Sequence, residues 1–202
     1  MLKDEIVQKI LEQKLHIDKR GNFYGKKYEE FVSLNSGMWQ TPEELAGLLD
    51  YLQHKDNIKT FLNIGTFNGV TFNFIANFLN DIRPVECITL DVNNFKPYKD
   101  ERFTYLICNS DNFMGQSYDL VFIDGDHSYG AVKRDYNNVG VHAKYVVFHD
   151  IDDQFVEGAP QNEGGVPRFW NEIKNTREHI EFIDPEKEVR HMGIGLLHGE
   201  SR

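Results

Sequence analysis

The chain is poor in cysteine, poor in positive charge and free of long apolar runs, and each shortage argues against a class of protein. Only two cysteines, Cys87 and Cys108, occur in 202 residues, both inside apolar runs. That count argues against a disulfide scaffold and predicts a reducing, cytoplasmic setting. Lys and Arg number 22 against 32 Asp and Glu, a formal charge of −10, and such a surface repels nucleic-acid phosphates and anionic membranes alike. No segment approaches the ~20 consecutive apolar residues that span a bilayer. The opening Met1-Leu2-Lys3-Asp4-Glu5 is charged where a signal peptide would turn apolar. What is present is ordinary: 40% hydrophobic and 27% charged residues, enough to bury the full core of one domain.

Ile6, Val7, Ile10, Leu11 and Leu15 recur at helical spacing and predict an amphipathic opening helix over 6–15. Its apolar face is a candidate surface for a second copy of the chain. Residues 16–40 mix glycine, charge and aromatics without a period and predict an irregular connection. A second helix then starts at Thr41-Pro42-Glu43-Glu44, which offers an N-cap hydroxyl, a proline in the first turn and a capping-box carboxylate.

From Lys59 onward short apolar runs alternate with helical stretches, the signature of a parallel sheet covered on both faces. Strands are predicted near 60–64, 85–90, 103–108, 119–124 and 144–149, and helices at 70–80, 129–138 and 168–176. Two last apolar runs, 179–183 and 193–197, lie too close for a parallel crossover of about a dozen residues or more, and predict a closing antiparallel hairpin. The polar stretch 151–167 is long enough to serve as a lid. The division expected is a helical cover over 1–57 and a core over 58–202.

Ligands of open α/β sheets bind beyond the carboxyl ends of the strands, so the residues that end each run carry the functional signal. The first run ends in Asn63-Ile64-Gly65-Thr66-Phe67-Asn68-Gly69. Gly65 allows a tight turn and Gly69 lets the next helix start against the sheet, but neither a dinucleotide fingerprint nor a P-loop lysine is present. The second run ends in Asp91, whose carboxylate can accept both hydroxyls of a ribose. The third ends in Asn109-Ser110-Asp111, suited to an adenine edge. Together these ends describe an adenosine site without a phosphate cradle.

The stretch from Thr60 to Leu197 resembles the class I S-adenosylmethionine-dependent methyltransferases. The turn Asn63 to Gly69 is similar to their first motif. Phe122-Ile123-Asp124-Gly125-Asp126-His127-Ser128-Tyr129, with Val132, Asp135 and Val147-Phe148-His149-Asp150, resembles the small O-methyltransferase branch grouped with cephalosporin hydroxylase and macrocin O-methyltransferase. Trp39-Gln40-Thr41-Pro42-Glu43-Glu44-Leu45 is similar to the opening helix of that branch. The resemblance implies a Rossmann-like fold with a mostly parallel seven-stranded sheet, a closing antiparallel hairpin and helices on both faces. It implies S-adenosylmethionine held by Asn63, Gly65, Thr66, Phe67, Gly69, Asp91, Ser110, Asp111 and Asp124. The family usually has an acid where this chain has Asn63, a departure expected to weaken the hold on the cofactor's amino group.

Asp124 and Asp150 end the fourth and fifth runs. On neighbouring strands about 4.8 Å apart their carboxylates would meet at one rim, where they repel unless a cation or proton intervenes. Mg²⁺ or another divalent metal would suit them, and the resemblance gives Asp124, His149 and Asp150 as its ligands. His149 is as well read as a pocket wall, because neighbours on a strand point to opposite faces and imidazole suits Mg²⁺ poorly. His127 is the candidate general base for a hydroxyl acceptor, with Asp124 beside it, and Asp126 is a candidate cap for the helix that follows. Trp39, Phe155, Phe169 and Trp170 flank the cover and the lid and are candidate pocket aromatics. The function expected is O-methylation of a small hydroxylated molecule of sugar or natural-product type. A metal-dependent hydrolase or hydroxylase, and a non-catalytic adenosine-binding protein, are the alternatives.

Overall fold

The computed structural model describes residues 1–13, 15, 37–187 and 189–199. Most of the connection expected over 16–40 lies outside the described residues. Helix α1 spans Lys3–Leu11 and ends before Leu15, which instead forms an isolated bridge with Met38. Helix α2 spans Pro42–Gln53, with Pro42 in its first turn as the sequence suggests. The expected capping box does not form there. Thr41 makes no side-chain cap bond, and its hydroxyl lies 3.6 Å from Met192 Sδ. Glu44 is buried and accepts from the backbone N–H of Asp184 at 2.9 Å and of Gly193 at 3.0 Å, and from Lys187 Nζ at 3.2 Å. A buried carboxylate needs several donors, and the tertiary ones take it away from the helix end.

The sheet contains β1 (Thr60–Ile64), β2 (Glu86–Asp91), β3 (Thr104–Ile107), β4 (Leu120–Ile123), β5 (Tyr145–His149), β6 (Glu178–Phe182) and β7 (Ile194–His198). Their order is β3-β2-β1-β4-β5-β7-β6. Pairings from β3 through β5 are parallel and the two made by β7 are antiparallel. The Rossmann-like methyltransferase arrangement and its closing hairpin are therefore present. Strand order reverses between β1 and β4, the place where a crevice opens beyond the strand ends.

Period-two alternation divides the core between the two faces. Phe61, Leu120, Phe122, Val147, Ile194 and Leu196 join one cluster with Ile6 and Ile10 of α1, Leu45, Leu48 and Leu49 of α2, and Phe72, Ile75 and Leu79 of α3 (Val70–Ile82). Leu62, Ile64, Val121, Ile123, Val146 and Phe148 face the other way, against Val132 of α4 (Tyr129–Asn138) and Phe169 and Trp170 of α6 (Gly165–Ile173). The apolar face of α1 is thus spent inside the chain. The segment 151–167 is not a bare loop. It holds the short helix α5 (Gln154–Gly158), a 3-10 turn at Pro160–Asn162 and the first turn of α6. Helix α6 starts earlier than the sequence suggests because Gly164 adopts φ +84° as its N-cap and Pro167 fits the first turn. Among the described residues no helix is long and apolar enough to cross a membrane.

Candidate active site

The carboxyl ends of β1, β2, β4 and β5 open into one cavity of about 880 Å³, within the usual size of ligand pockets. One end is the turn after β1. Gly65 has φ +98°, and a Cβ there would sit 1.9 Å from the Asp124 carbonyl oxygen, so only glycine lets β1 and β4 release their loops side by side. Phe67 takes φ +45°, and its amide donates to Asp91 Oδ2 at 2.9 Å, while Asn93 N donates to Oδ1 at 2.9 Å. Each carboxylate oxygen keeps a further lone pair for a ligand hydroxyl. The Phe67 ring lies between Trp39 and Phe95, with centroids 6.3 and 5.3 Å away and both contacts edge-on.

Of the sequence-selected cofactor residues, Gly65, Thr66, Phe67, Asp91, Ser110 and Asp124 line this cavity, and Asn63, Gly69 and Asp111 do not. Asn63 is buried and donates to the Gly65 carbonyl and to Thr89 Oγ1, both at 2.9 Å, and Thr89 meets the Thr66 hydroxyl at 2.7 Å. A carboxylate could not make those two donations, so amide chemistry here stiffens the turn. Ser110 donates to Asp135 Oδ1 at 2.6 Å, and Asn138 ties it to Asp111. Burial raises the Asp135 carboxyl above its ordinary value despite the Ser110 and Arg134 contacts.

The opposite end is built from charge. Strand β5 stops at His149 and Asp150 turns into the left-handed region, φ +62°. That single backbone excursion lets successive side chains converge where strand pleating would separate them. His149 Nδ1 lies 3.2 Å from both Asp124 Oδ1 and Asp150 Oδ1, and Asp150 Oδ2 lies 3.2 Å from His127 Nε2. Burial alone would lower the pKa of His149, yet the carboxylates of Asp150 and Asp124 hold it well above the ordinary histidine value. Burial likewise opposes the charge on Asp150, and the imidazoles of His149 and His127 hold its carboxyl below the usual range. A protonated His149 therefore stands between two carboxylates that would otherwise repel.

One ligand atom each from Asp124, His127 and Asp150 lies within 4.8 Å of the others, a group able to hold a metal ion. His149, the histidine selected from the sequence, lies against the same two carboxylates through Nδ1. Asp126 accepts from Ser128 N at 2.9 Å, and Ser128 itself caps α4. Trp39 and Phe155 line the cavity, whereas Phe169 and Trp170 are 2% and 1% exposed in the core. The cavity wall also includes Arg134, Gln161, Asn162, His191 and Met192. Only the local polarity of 151–167 hinted at any of these. Among them His191 Nδ1 meets buried Asp153 at 2.5 Å, fixing the hairpin loop to the start of α5.

A family model described as a methyltransferase domain matches residues 62–151. No curated protein matches the sequence. Several solved structures share the fold. A Klebsiella pneumoniae protein carried as a candidate O-methyltransferase is 16% identical, with TM-score 0.59 over 98% of this chain and 91% of that one. TomG of Streptomyces achromogenes, an O-methyltransferase of tomaymycin synthesis solved with S-adenosylmethionine, is 15% identical, with TM-score 0.57 over 80% and 82%. MycE, a methyltransferase of the mycinamycin pathway solved with Mg, S-adenosylhomocysteine and mycinamycin VI, is 13% identical, with TM-score 0.58 over 97% of this chain and 55% of that one.

Proposed function

We propose, from the match of residues 62–151 to a methyltransferase-domain family and the shared fold, that the protein is an S-adenosylmethionine-dependent O-methyltransferase acting on a small hydroxylated molecule of sugar or natural-product type. The observation that carries this reading is the single cavity that joins the Gly65 turn and Asp91 to the Asp124, Asp150 and His127 cluster. The donor set fits the cofactor. Asp91 would hold the ribose hydroxyls with the lone pairs its two amide contacts leave free, Ser110 would face the adenine and Asp124 the methionine end. Asn63, Gly69 and Asp111 would act behind this surface by holding its shape. When bound, S-adenosylmethionine supplies a methyl group made electrophilic by its sulfonium.

What the chain must add is orientation and a place for one proton. A hydroxyl acceptor must give up its proton in order to be methylated. His127 is half-exposed on the cavity wall, and with Nε2 turned to Asp150 its Nδ1 is the nitrogen left to accept that proton. Asp150, buried and charged, would stabilise the imidazolium that results. Asp124 stands beside them. A divalent ion could be held by the Asp124 and Asp150 carboxylates with His127 or His149 as the nitrogen ligand, a mixed donor set that suits Mn²⁺ or Fe²⁺ better than Mg²⁺, and would supply positive charge to the reacting centre. With His127 committed in that way, the hydrolase or hydroxylase alternative gains its one supporting observation, and turnover with metal alone would favour it.

Residues 1–57 serve in this proposal as a cover at the acceptor end, and 58–202 as the cofactor-binding core. The acidic balance and two cysteines fit a cytoplasmic enzyme with no nucleic-acid or membrane partner. The test is calorimetry of S-adenosylhomocysteine with the folded protein and its Asp91→Ala variant. Wild type is expected to bind and the variant to lose about 30-fold or more, the worth of roughly 2 kcal/mol for charged ribose hydrogen bonds. No heat with or without divalent metal would sink the proposal.

A further inference from the structure

Gln40 lies outside the matched domain, in the stretch that leads into α2, yet it is completely buried and donates through Nε2 to Asp124 Oδ2 at 3.3 Å. We propose that Gln40 is a positioning residue for the reacting centre, fixing Asp124 and, through Asp124, the His149, Asp150 and His127 array. This rests on the reading of His127 as the proton acceptor.

The geometry around Gln40 is a strap of short contacts. The Gly37 carbonyl accepts from Asn68 Nδ2 at 2.7 Å, Trp39 packs edge-on against Phe67, Gln40 reaches Asp124, and the Thr41 hydroxyl meets Met192. Residues 37–41 thus touch, in turn, the loop after β1, the end of β4 and the loop before β7. Seating this segment fixes the relation of three rim loops that no single strand pairing controls.

Simple packing does not account for an amide here. Gln40 Oε1 is buried with no hydrogen-bond partner among the described residues, a cost of about 1–3 kcal/mol that an apolar side chain of similar size would avoid. The donor end explains the residue type. A carboxylate can accept from Nε2 but would be repelled by Oε1, so the orientation of the amide is dictated by Asp124. From there donors and acceptors alternate. Gln40 donates to Asp124, His149 stands between Asp124 and Asp150, and His127 faces the far oxygen of Asp150. Each carboxylate uses one oxygen toward one neighbour and the other oxygen toward the next. Releasing Asp124 Oδ2 frees that carboxylate to rotate, and His149 and Asp150 then readjust.

The test uses the chelator-treated full chain labelled with ¹⁵N at histidine side chains, and compares wild type with Gln40→Leu. The imidazole ¹⁵N and ¹H resonances of His149 and of His127, two carboxylates away, are expected to move by more than those of the exposed and remote His54 and His179. Backbone amide spectra report whether the fold is intact. If Gln40→Leu fails to fold, Gln40→Asn keeps the amide but falls one methylene short of Asp124, and the same shifts are expected. A folded variant in which His127 moves no more than His54 and His179 would overturn the proposal. Failure of the methyl-transfer reading would show instead in the cofactor calorimetry and leave these resonances unaffected, so the two failures are distinguishable.

Discussion

The two ends of the cavity are held by different physics. At the β1–β2 end the polar side chains are satisfied by hydrogen bonds to nearby backbone and hydroxyl groups, with no second charged side chain facing them among the described residues: Asp91 by two amides, Asn63 by a carbonyl and a hydroxyl. At the β4–β5 end four side chains, Asp124, His127, His149 and Asp150, form a chain of imidazole–carboxylate contacts, and one of them sits on a left-handed backbone. The first arrangement presets a shape that a ligand enters without rearranging it. The second stores interacting charge where a reaction needs to move a proton, and loses more when one member is removed.

That contrast breaks most visibly at Asp150. Asp150→Asn tolerates the left-handed backbone, since asparagine is among the residues that visit it readily, so its cost isolates the charge. Loss of stability by roughly 1.5–3 kcal/mol is expected from removing one of the two carboxylates that face buried His149, measured by urea unfolding. A loss under about 1 kcal/mol would show that the cluster is not a buried ion network.

The next effect is on pH. Asp150 and Asp124 overcome the burial penalty on His149 and raise its pKa well above 6.5. The stability this charge contributes is full below about pH 6.5 and is lost as pH rises through the raised value. Asp150, held below its ordinary 3.8 by the imidazoles, contributes stability that is full above about pH 3.8 and is lost as pH falls through its lowered value. Thermal unfolding in the presence of chelator is expected to give wild type a falling Tm from pH 6.5 upward and His149→Gln a flatter profile. Parallel profiles would contradict the charged imidazole.

The smallest effect belongs to the other end. Asn63→Asp removes two donations within the turn and sets a carboxylate against the Gly65 carbonyl, with an expected cost of about 1–3 kcal/mol. Guanidinium unfolding measures it. A gain in S-adenosylhomocysteine affinity without loss of stability would instead show that the family's usual acid works here by facing the ligand.

Much of the fold is legible because each strand is a short apolar run and each long helix repeats at 3.6 residues. Strand ends are legible too, which is why Gly65, Asp91, Asp124 and Asp150 can be selected without coordinates. Helix α5 and the early start of α6 are hidden, because a polar, glycine-rich segment signals a loop even when Asp153 caps a helix within it. Aromatic content does not separate wall from core: Phe155 faces the cavity and Trp170 does not. Least legible are contacts between residues far apart in sequence. Gln40 meets Asp124 across 84 positions, and Glu44 meets Gly193 across 149. No local pattern encodes either pairing.

A crystal structure with S-adenosylhomocysteine tests the division of labour between the two ends most directly. The ribose hydroxyls are expected on Asp91 and the sulfur toward the space between Asp124 and His127. A ligand whose ribose lies away from Asp91, or whose sulfur points away from His127, would contradict it.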